Sequence, residues 1–103
     1  SGHPADAVSR SYYAVFHAAT ALLLELGVER KSHHALWSAF GLSVTSAGLL
    51  DAKYHKIALS LFMDRSASDY LPVPEETTES AQASLDQALE FVRACRGYLA
   101  KPG

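Results

Sequence analysis

The sequence is poor in cysteine, in charge of either sign and in long apolar runs, and each shortage excludes a class of protein. Its single cysteine excludes an internal disulfide and a zinc site built from cysteines alone. A formal net charge of -2 argues against a nucleic-acid binder held by bulk positive charge. No apolar run approaches the roughly 20 residues that a membrane span requires, so we expect no membrane association. Because no signal peptide is visible, we expect a cytoplasmic location.

Apolar material, by contrast, is plentiful: 49% of the residues are hydrophobic and only 19% are charged. That balance predicts a folded chain rather than a disordered one. We expect one compact domain over residues 1–103. A chain of this size buries about 60% to about 70% of its unfolded surface, so its core is modest. Apolar residues in excess of that core are expected at an interface.

Glycine and proline divide the chain into four segments with helical periodicity and no sustained alternation of the strand type. The predicted helices cover residues 4–26, 32–47, from after 51 to about 68, and from about 75 to 99. Pro72 and Pro74 disfavour helical backbone in the residues before them, so 69–74 is predicted to be an extended connection. Gly41 costs its helix up to about 1 kcal/mol, which a close helix approach would offset. Short connections favour an all-α, up-down antiparallel bundle.

The predicted topology brings polar residues from different helices to one end of the bundle. In an up-down path, four helix termini lie at that pole of the bundle: the end of the first helix, the start of the second, the end of the third and the start of the fourth. The polar residues that fall there are His33, His34, Arg65, Asp69 and Tyr70. His33 and Arg65 also interrupt otherwise apolar stripes, where a polar group needs a partner or a function.

Structural and functional interpretations of these residues are both open. Arg65 and Asp69 are four positions apart, which suits an ion pair that closes the helix end, while the guanidinium group equally suits a phosphate or another anion. His33, in the first turn of a helix, faces the positive end of the helix dipole and would stay neutral and able to act as a base. Beside an arginine, such a group could cleave RNA without a metal. Alternatively, it packs beside Trp37 and donates to a carbonyl.

A second polar group lies on the first helix. Arg10 and His17 are about two turns apart there, and Tyr13 lies between them. This face is a candidate groove for a ligand or a partner helix. The alternative is that His17 is a satisfied core histidine and Arg10 an ordinary surface residue. The five histidines of the chain show no metal-binding motif, so we predict no metal site and no cofactor.

Three segments carry a resemblance to a known family. They are the run 7–19 with Tyr-Tyr-Ala-x-Phe-His at its centre, the Lys-Ser-His of 31–33 leading to Phe40 and Gly41, and the run 65–70 before an acidic final helix. Together they resemble the HEPN (higher eukaryotes and prokaryotes nucleotide-binding) domain family, in particular its small stand-alone prokaryotic branch. The resemblance implies a helical bundle, usually dimeric, and often encoded beside a minimal nucleotidyltransferase with which it forms a toxin–antitoxin pair.

Active members of that family are metal-independent ribonucleases. The resemblance implies an arginine followed, after four to six arbitrary residues, by a histidine just before the last long helix. Arg65 stands where the arginine belongs, but Asp69 and Tyr70 occupy the region where the histidine would be. Whether the chain is an enzyme therefore stays open. His33 is our candidate for the missing imidazole, supplied from the neighbouring helix.

The resemblance also implies a further helix before the one that carries Tyr-Tyr-Ala, and we expect this chain to lack it. An apolar flank of the first helix should then be available to a partner, which predicts a homodimer or a larger assembly. The favoured function is a nucleotide-binding and interaction module, partner of a minimal nucleotidyltransferase in a toxin–antitoxin-type pair, with a nucleotide or RNA as ligand. The alternatives are a metal-independent ribonuclease toxin and a purely structural dimerisation domain. The predicted site residues are Arg65 and His33 for catalysis, and Arg65, Asp69, Tyr70, His34, Arg10, Tyr13 and His17 for phosphate or ligand binding.

Overall fold

The computed structural model describes residues 4–70 and 78–101, with side-chain environments for 9–65 and 79–101. Its helices are α1 (Pro4–Glu25), α2 (His33–Phe40), α3 (Ala52–Tyr70) and α4 (Thr78–Leu99), and a π-helical segment, Gly41–Thr45, continues α2 directly. No strand occurs in these ranges, so the expectation of an all-α bundle is confirmed. None of the helices seen there combines the length and apolar character needed to cross a bilayer.

Local sequence sets the ends of the first two helices. Ser32 caps α2, since its Oγ accepts a hydrogen bond from the N–H of Ala35 at 3.0 Å. Gly27 follows α1 with a φ of +79°, a left-handed conformation that glycine adopts without strain. The N–H of Val28 then donates to the carbonyl of Leu23 at 2.8 Å. This is the closure expected of a glycine-terminated helix, and it turns the chain sharply after α1.

The second predicted helix is helical, but its hydrogen bonding changes at Gly41. Beyond that residue the N–H of Ser46 donates to the carbonyl of Gly41, five positions back, at 2.8 Å. A Cβ at position 41 would lie 2.8 Å from Cε1 of His55 on α3. The close helix approach expected at Gly41 is therefore present.

The third helix is longer than predicted. It continues to Tyr70, so Asp69 and Tyr70 lie in its last turn and not in an extended connection. The physical reason is that Pro72 restricts only the residue directly before it, which leaves the two preceding residues free to stay helical. The rest of the predicted connection, residues 71–74, and the predicted start of the fourth helix near 75 lie outside the described residues.

One core joins the helices, with α1 packed mainly against α4 and, to a lesser extent, against α3. Its largest fully buried side chains are Trp37, Tyr12, Phe40, Phe91, Leu22, Leu23 and Leu61. At one side of this core, Nζ of Lys53 lies 2.7 Å from a carboxylate oxygen of Glu90, which joins the start of α3 to α4.

The start of α2 and the middle of α3 meet beside the middle of α1, not beside its end. The ring of His33 lies 4.3 Å from that of Phe16, and Phe62 lies 5.5 Å from Tyr12. Residues 26–32 bring the chain back along α1. Seven residues can span at most about 25 Å, and the nine positions from Phe16 to the end of α1 need only about 14 Å.

Candidate functional site

Six aromatic rings from α1, α2 and α3 converge at this meeting point. We call this group the His33 cluster, and it consists of Tyr12, Tyr13, Phe16, His33, Trp37 and Phe62. The imidazole of His33 stacks on Phe16 and lies 5.7 Å from the ring of Tyr12 and 6.1 Å from that of Phe62. His33 is half-buried, so the residue packs partly against the core and is partly open to solvent.

A chain of hydrogen bonds orients His33 within the cluster. The indole Nε1–H of Trp37 donates to the hydroxyl of Tyr12 at 3.1 Å, and that hydroxyl lies 2.5 Å from Nδ1 of His33. An indole can only donate, so the Tyr12 oxygen is an acceptor toward Trp37. The hydroxyl proton of Tyr12 is then available for Nδ1 of His33. When that hydroxyl donates to Nδ1, His33 is neutral and carries its own hydrogen on Nε2.

The electrostatic surroundings favour the same neutral state. Burial lowers the pKa of His33, and the nearby charges of Arg65 and His34 lower it further. Burial raises the pKa of Tyr12, against smaller opposing effects of the Trp37 hydrogen bond and the Arg65 charge. Both directions follow from the cost of holding a charge away from water. Near pH 7 the Tyr12–His33 contact therefore joins two neutral groups.

Arg65 brings a permanent positive charge to the cluster. Its guanidinium carbon lies 5.1 Å from the ring centre of Tyr13 and 5.8 Å from that of Tyr12, within the range of cation–π attraction. Arg65 and His33 thus approach Tyr12 from two different helices. The predicted topology was the only reason to expect these two residues near each other. In the structure both lie beside Tyr12. Their catalytic or binding roles stay predictions.

The remaining predicted site residues divide between this cluster and its edge. His34 is exposed, and its ring meets that of Phe62 edge-on at 5.2 Å. Tyr13 is 38% exposed, and its ring lies 6.3 Å from that of His17. Arg10 is exposed one turn before Tyr13. The side chains of Asp69 and Tyr70 lie outside the described residues.

His17 is exposed, so the alternative that it is a core histidine is wrong. It borders a groove of about 410 Å³ between α1 and α4. The groove is lined by Ala14, His17, Ala18, Ala21, Val92, Cys95, Arg96 and Leu99. Small side chains on α1 leave this space, which suits an apolar partner better than a charged ligand.

Tyr12 and Trp37 are not among the predicted site residues, and sequence reasoning missed their roles. Both are almost fully buried, and their hydrogen bonds reach His33 at its Nδ1. A signal was available, because buried tyrosine and tryptophan side chains usually find a partner for their polar atom. Two such residues near a histidine on facing helices predict a hydrogen-bond chain.

Comparison with known proteins agrees with this architecture. The family model of the HEPN domain matches residues 1–98. A protein of Methanocaldococcus jannaschii named "Putative toxin" is 36% identical over 84% of this chain and 64% of its own length. UPF0332 proteins of Gloeobacter violaceus and Pyrococcus horikoshii are 34% and 31% identical over 91% of this chain, and over 75% and 63% of their own lengths.

The chain thus spans 64%, 75% and 63% of the lengths of these three relatives. No solved structure matches it. The match of the family model to nearly the whole chain nevertheless fixes its classification. This chain belongs to the HEPN domain family.

Proposed function

We propose that this chain is a nucleotide-binding and interaction module of a toxin–antitoxin-type pair, acting as a homodimer with a minimal nucleotidyltransferase as its partner. The observation that carries the proposal is the convergence of a neutral histidine, an arginine and a half-exposed tyrosine at one surface. His33, Arg65 and Tyr13 supply the three kinds of contact that a nucleotide needs.

The phosphate is the part of the ligand for which this geometry is best suited. A guanidinium group donates in a fork that matches phosphate oxygens. The Nε2–H of His33 adds a second donor, because its Nδ1 is held by Tyr12. The ring of Tyr13, a residue that is 38% exposed, is a candidate stacking surface for a base, and such stacking contributes about 1–3 kcal/mol per base.

The ribonuclease alternative uses the same two residues in a different way. Burial lowers the pKa of His33, so its imidazole is neutral near pH 7, as a general base requires. A base also needs a nitrogen without a hydrogen on the side of the substrate. The hydrogen bond from Tyr12 already occupies that bare nitrogen, which favours binding over proton transfer.

The assembly part of the proposal draws on the relatives and on exposed apolar side chains. Two of the similar proteins, both from Methanocaldococcus jannaschii, carry the name "Putative toxin". In this chain Leu99 is 38% exposed and lines the groove between α1 and α4, and Leu24, elsewhere on α1, is 53% exposed. An exposed leucine at a groove lined by alanines suits a second helical surface.

The binding test uses a fluorescein-labelled single-stranded RNA of twelve nucleotides in an anisotropy titration, with ATP as competitor. Replacing Arg65 by Ala should weaken binding by about ten- to a hundredfold, as expected for lost charge-assisted hydrogen bonds. Arg93→Ala, which removes an exposed arginine from α4, is the matched control and should change affinity little. If the wild-type chain binds neither probe, nucleotide binding at this site is refuted.

Substitution of His33 by Gln separates the two functions. The glutamine amide keeps a donor near the position of Nε2 but cannot transfer a proton. The binding function predicts that affinity is largely retained, and the ribonuclease function predicts complete loss of metal-free RNA cleavage. Cleavage by the wild type that survives Arg65→Ala and His33→Gln would exclude these residues from catalysis.

Two further measurements test the assembly. Light scattering at micromolar concentration should give a dimer mass, and a monomer would contradict the homodimer. Co-expression with the minimal nucleotidyltransferase gene neighbouring it, where there is one, should yield a complex that survives purification. A dimer that binds neither probe nor this partner would support the purely structural alternative.

A further inference from the structure

His55 on α3 contacts the backbone of α2 at Trp37. Its Nε2 is 2.9 Å from the backbone carbonyl oxygen of Trp37, and its ring lies nearly parallel to that of Phe40 at 6.3 Å. A carbonyl group can only accept, so Nε2 of His55 carries a hydrogen and donates it. The histidine is half-buried on α3, and none of the functions considered above uses it.

Gly41 provides the space that this contact requires. A Cβ at position 41 would lie 2.8 Å from Cε1 and 3.0 Å from Nε2 of His55, closer than packed atoms can approach. The φ of Gly41 is −58°, an ordinary helical value, so the glycine is needed for space and not for conformation. Gly97, which is also helical, has no atom within 4 Å of such a Cβ among the described residues.

The Trp37 carbonyl accepts a backbone hydrogen bond that is divided between two acceptors. The N–H of Gly41 is shared there between the carbonyls of Trp37 and Ser38, at the position where α2 gives way to the π-helical segment. A divided hydrogen bond holds each acceptor less firmly than a single one. The imidazole of His55 supplies the Trp37 carbonyl with a second donor at this junction.

Trp37 connects this junction to the candidate site. Its indole N–H donates to Tyr12, whose hydroxyl in turn lies against Nδ1 of His33. We propose that His55 is a positioning residue of the site: by holding the Trp37 carbonyl, it keeps the indole directed at Tyr12 and thereby keeps Nδ1 of His33 an acceptor. The expected consequence for ligand binding rests on the proposed function. The expected effect on the hydrogen position of the His33 ring does not.

The experiment compares four variants by nitrogen NMR of the His33 ring and of the Trp37 indole. His55→Asn removes the contact because its amide is one methylene too short, and His55→Gln restores a donor near Nε2. Gly41→Ala displaces the ring of His55 without changing its chemistry, and Gly97→Ala is the matched control for an alanine in a helix. We expect His55→Asn and Gly41→Ala to shift the indole signal and to mix the two neutral forms of His33. His55→Gln and Gly97→Ala should retain the wild-type signals.

The same two disruptive variants should weaken binding of the labelled RNA by about two- to tenfold, the range expected for one hydrogen bond. Wild-type His33 and indole signals in folded His55→Asn would overturn the proposal, whatever its melting temperature. Should His55→Asn not fold, Gly41→Ala decides by the same signals. If wild type binds no RNA, the proposed function fails, but the ring signals still test His55.

Discussion

Substitution of Tyr12 by Phe tests the hydrogen-bond chain on which the candidate site depends. The substitution removes one oxygen and retains the ring, so packing against Phe16 and Phe62 is preserved. It leaves the indole N–H of Trp37 without its acceptor in a place where the tryptophan is only 2% exposed. It also removes the group that faces Nδ1 of His33, but His33 is half-buried and water can replace the hydroxyl there.

The expected loss of stability follows from these two unequal consequences. A buried donor without a partner costs about 1–3 kcal/mol, and the partly solvated His33 adds little. For a domain of this size each kcal/mol lowers the melting temperature by about 4–8 °C. Tyr13→Phe is the matched control, because Tyr13 is the adjacent residue on α1 but is 38% exposed. Its effect should stay within about 0.5 kcal/mol.

Urea denaturation followed by tryptophan fluorescence measures this difference. Trp37 is the one tryptophan in the sequence, so the signal reports directly on the indole that loses its partner. A Tyr12→Phe variant as stable as Tyr13→Phe would refute the hydrogen-bond chain. Equal and large losses of stability in both variants would refute it as well, because Tyr12 is buried whereas Tyr13 is 38% exposed.

Three other outcomes are expected. Because burial and neighbouring positive charge lower the folded-state pKa of His33, the unfolded chain binds more protons below pH 6.5. Stability should therefore fall as the pH drops through about 6.5 toward that lower pKa, and His33→Gln should flatten this part of the curve in urea titrations. Burial raises the pKa of Cys95 to about 12, so its thiol should react with iodoacetamide at pH 8 only as fast as the chain unfolds, and rapid labelling of folded protein would contradict this. The buried Oγ of Ser11 finds no partner among the described residues, so Ser11→Ala should leave the melting temperature unchanged or raise it; a clear decrease would mean that the hydroxyl is bonded.

Much of the fold could be predicted because local patterns decide it. The helix cap at Ser32 and the glycine end at Gly27 each follow from the residue itself, and both are present. The change from α to π hydrogen bonding at Gly41 could not be predicted in this way. It coincides with the place where His55 presses against the backbone, a contact between residues 14 positions apart in two different helices.

The candidate site was only partly accessible to sequence reasoning. Topology correctly brought His33 and Arg65 together, although they meet at the middle of α1 rather than at its end. Which nitrogen of His33 accepts a hydrogen bond depends on the position of the Tyr12 hydroxyl. No pattern of residue types in the sequence gives that position. Tyr12 is absent from the predicted site for the same reason, since its ring belongs to the core and only its oxygen belongs to the site.

The origin of the imidazole affects which chemistry the site can perform. A histidine following Arg65 along α3 would be oriented by its own helix, whereas His33 comes from α2 and is oriented by Tyr12. As a neutral donor it can hold a phosphate oxygen. To accept a proton from a substrate, it would first have to move its hydrogen from Nε2 to Nδ1, which the Tyr12 hydroxyl opposes.

Tyr12→Phe removes that opposition. Binding should therefore weaken if the Nε2–H of His33 is needed as an ordered donor, and metal-free RNA cleavage should rise if the site is a ribonuclease. A variant that loses cleavage together with the hydroxyl would contradict this view and would assign Tyr12 to proton transfer.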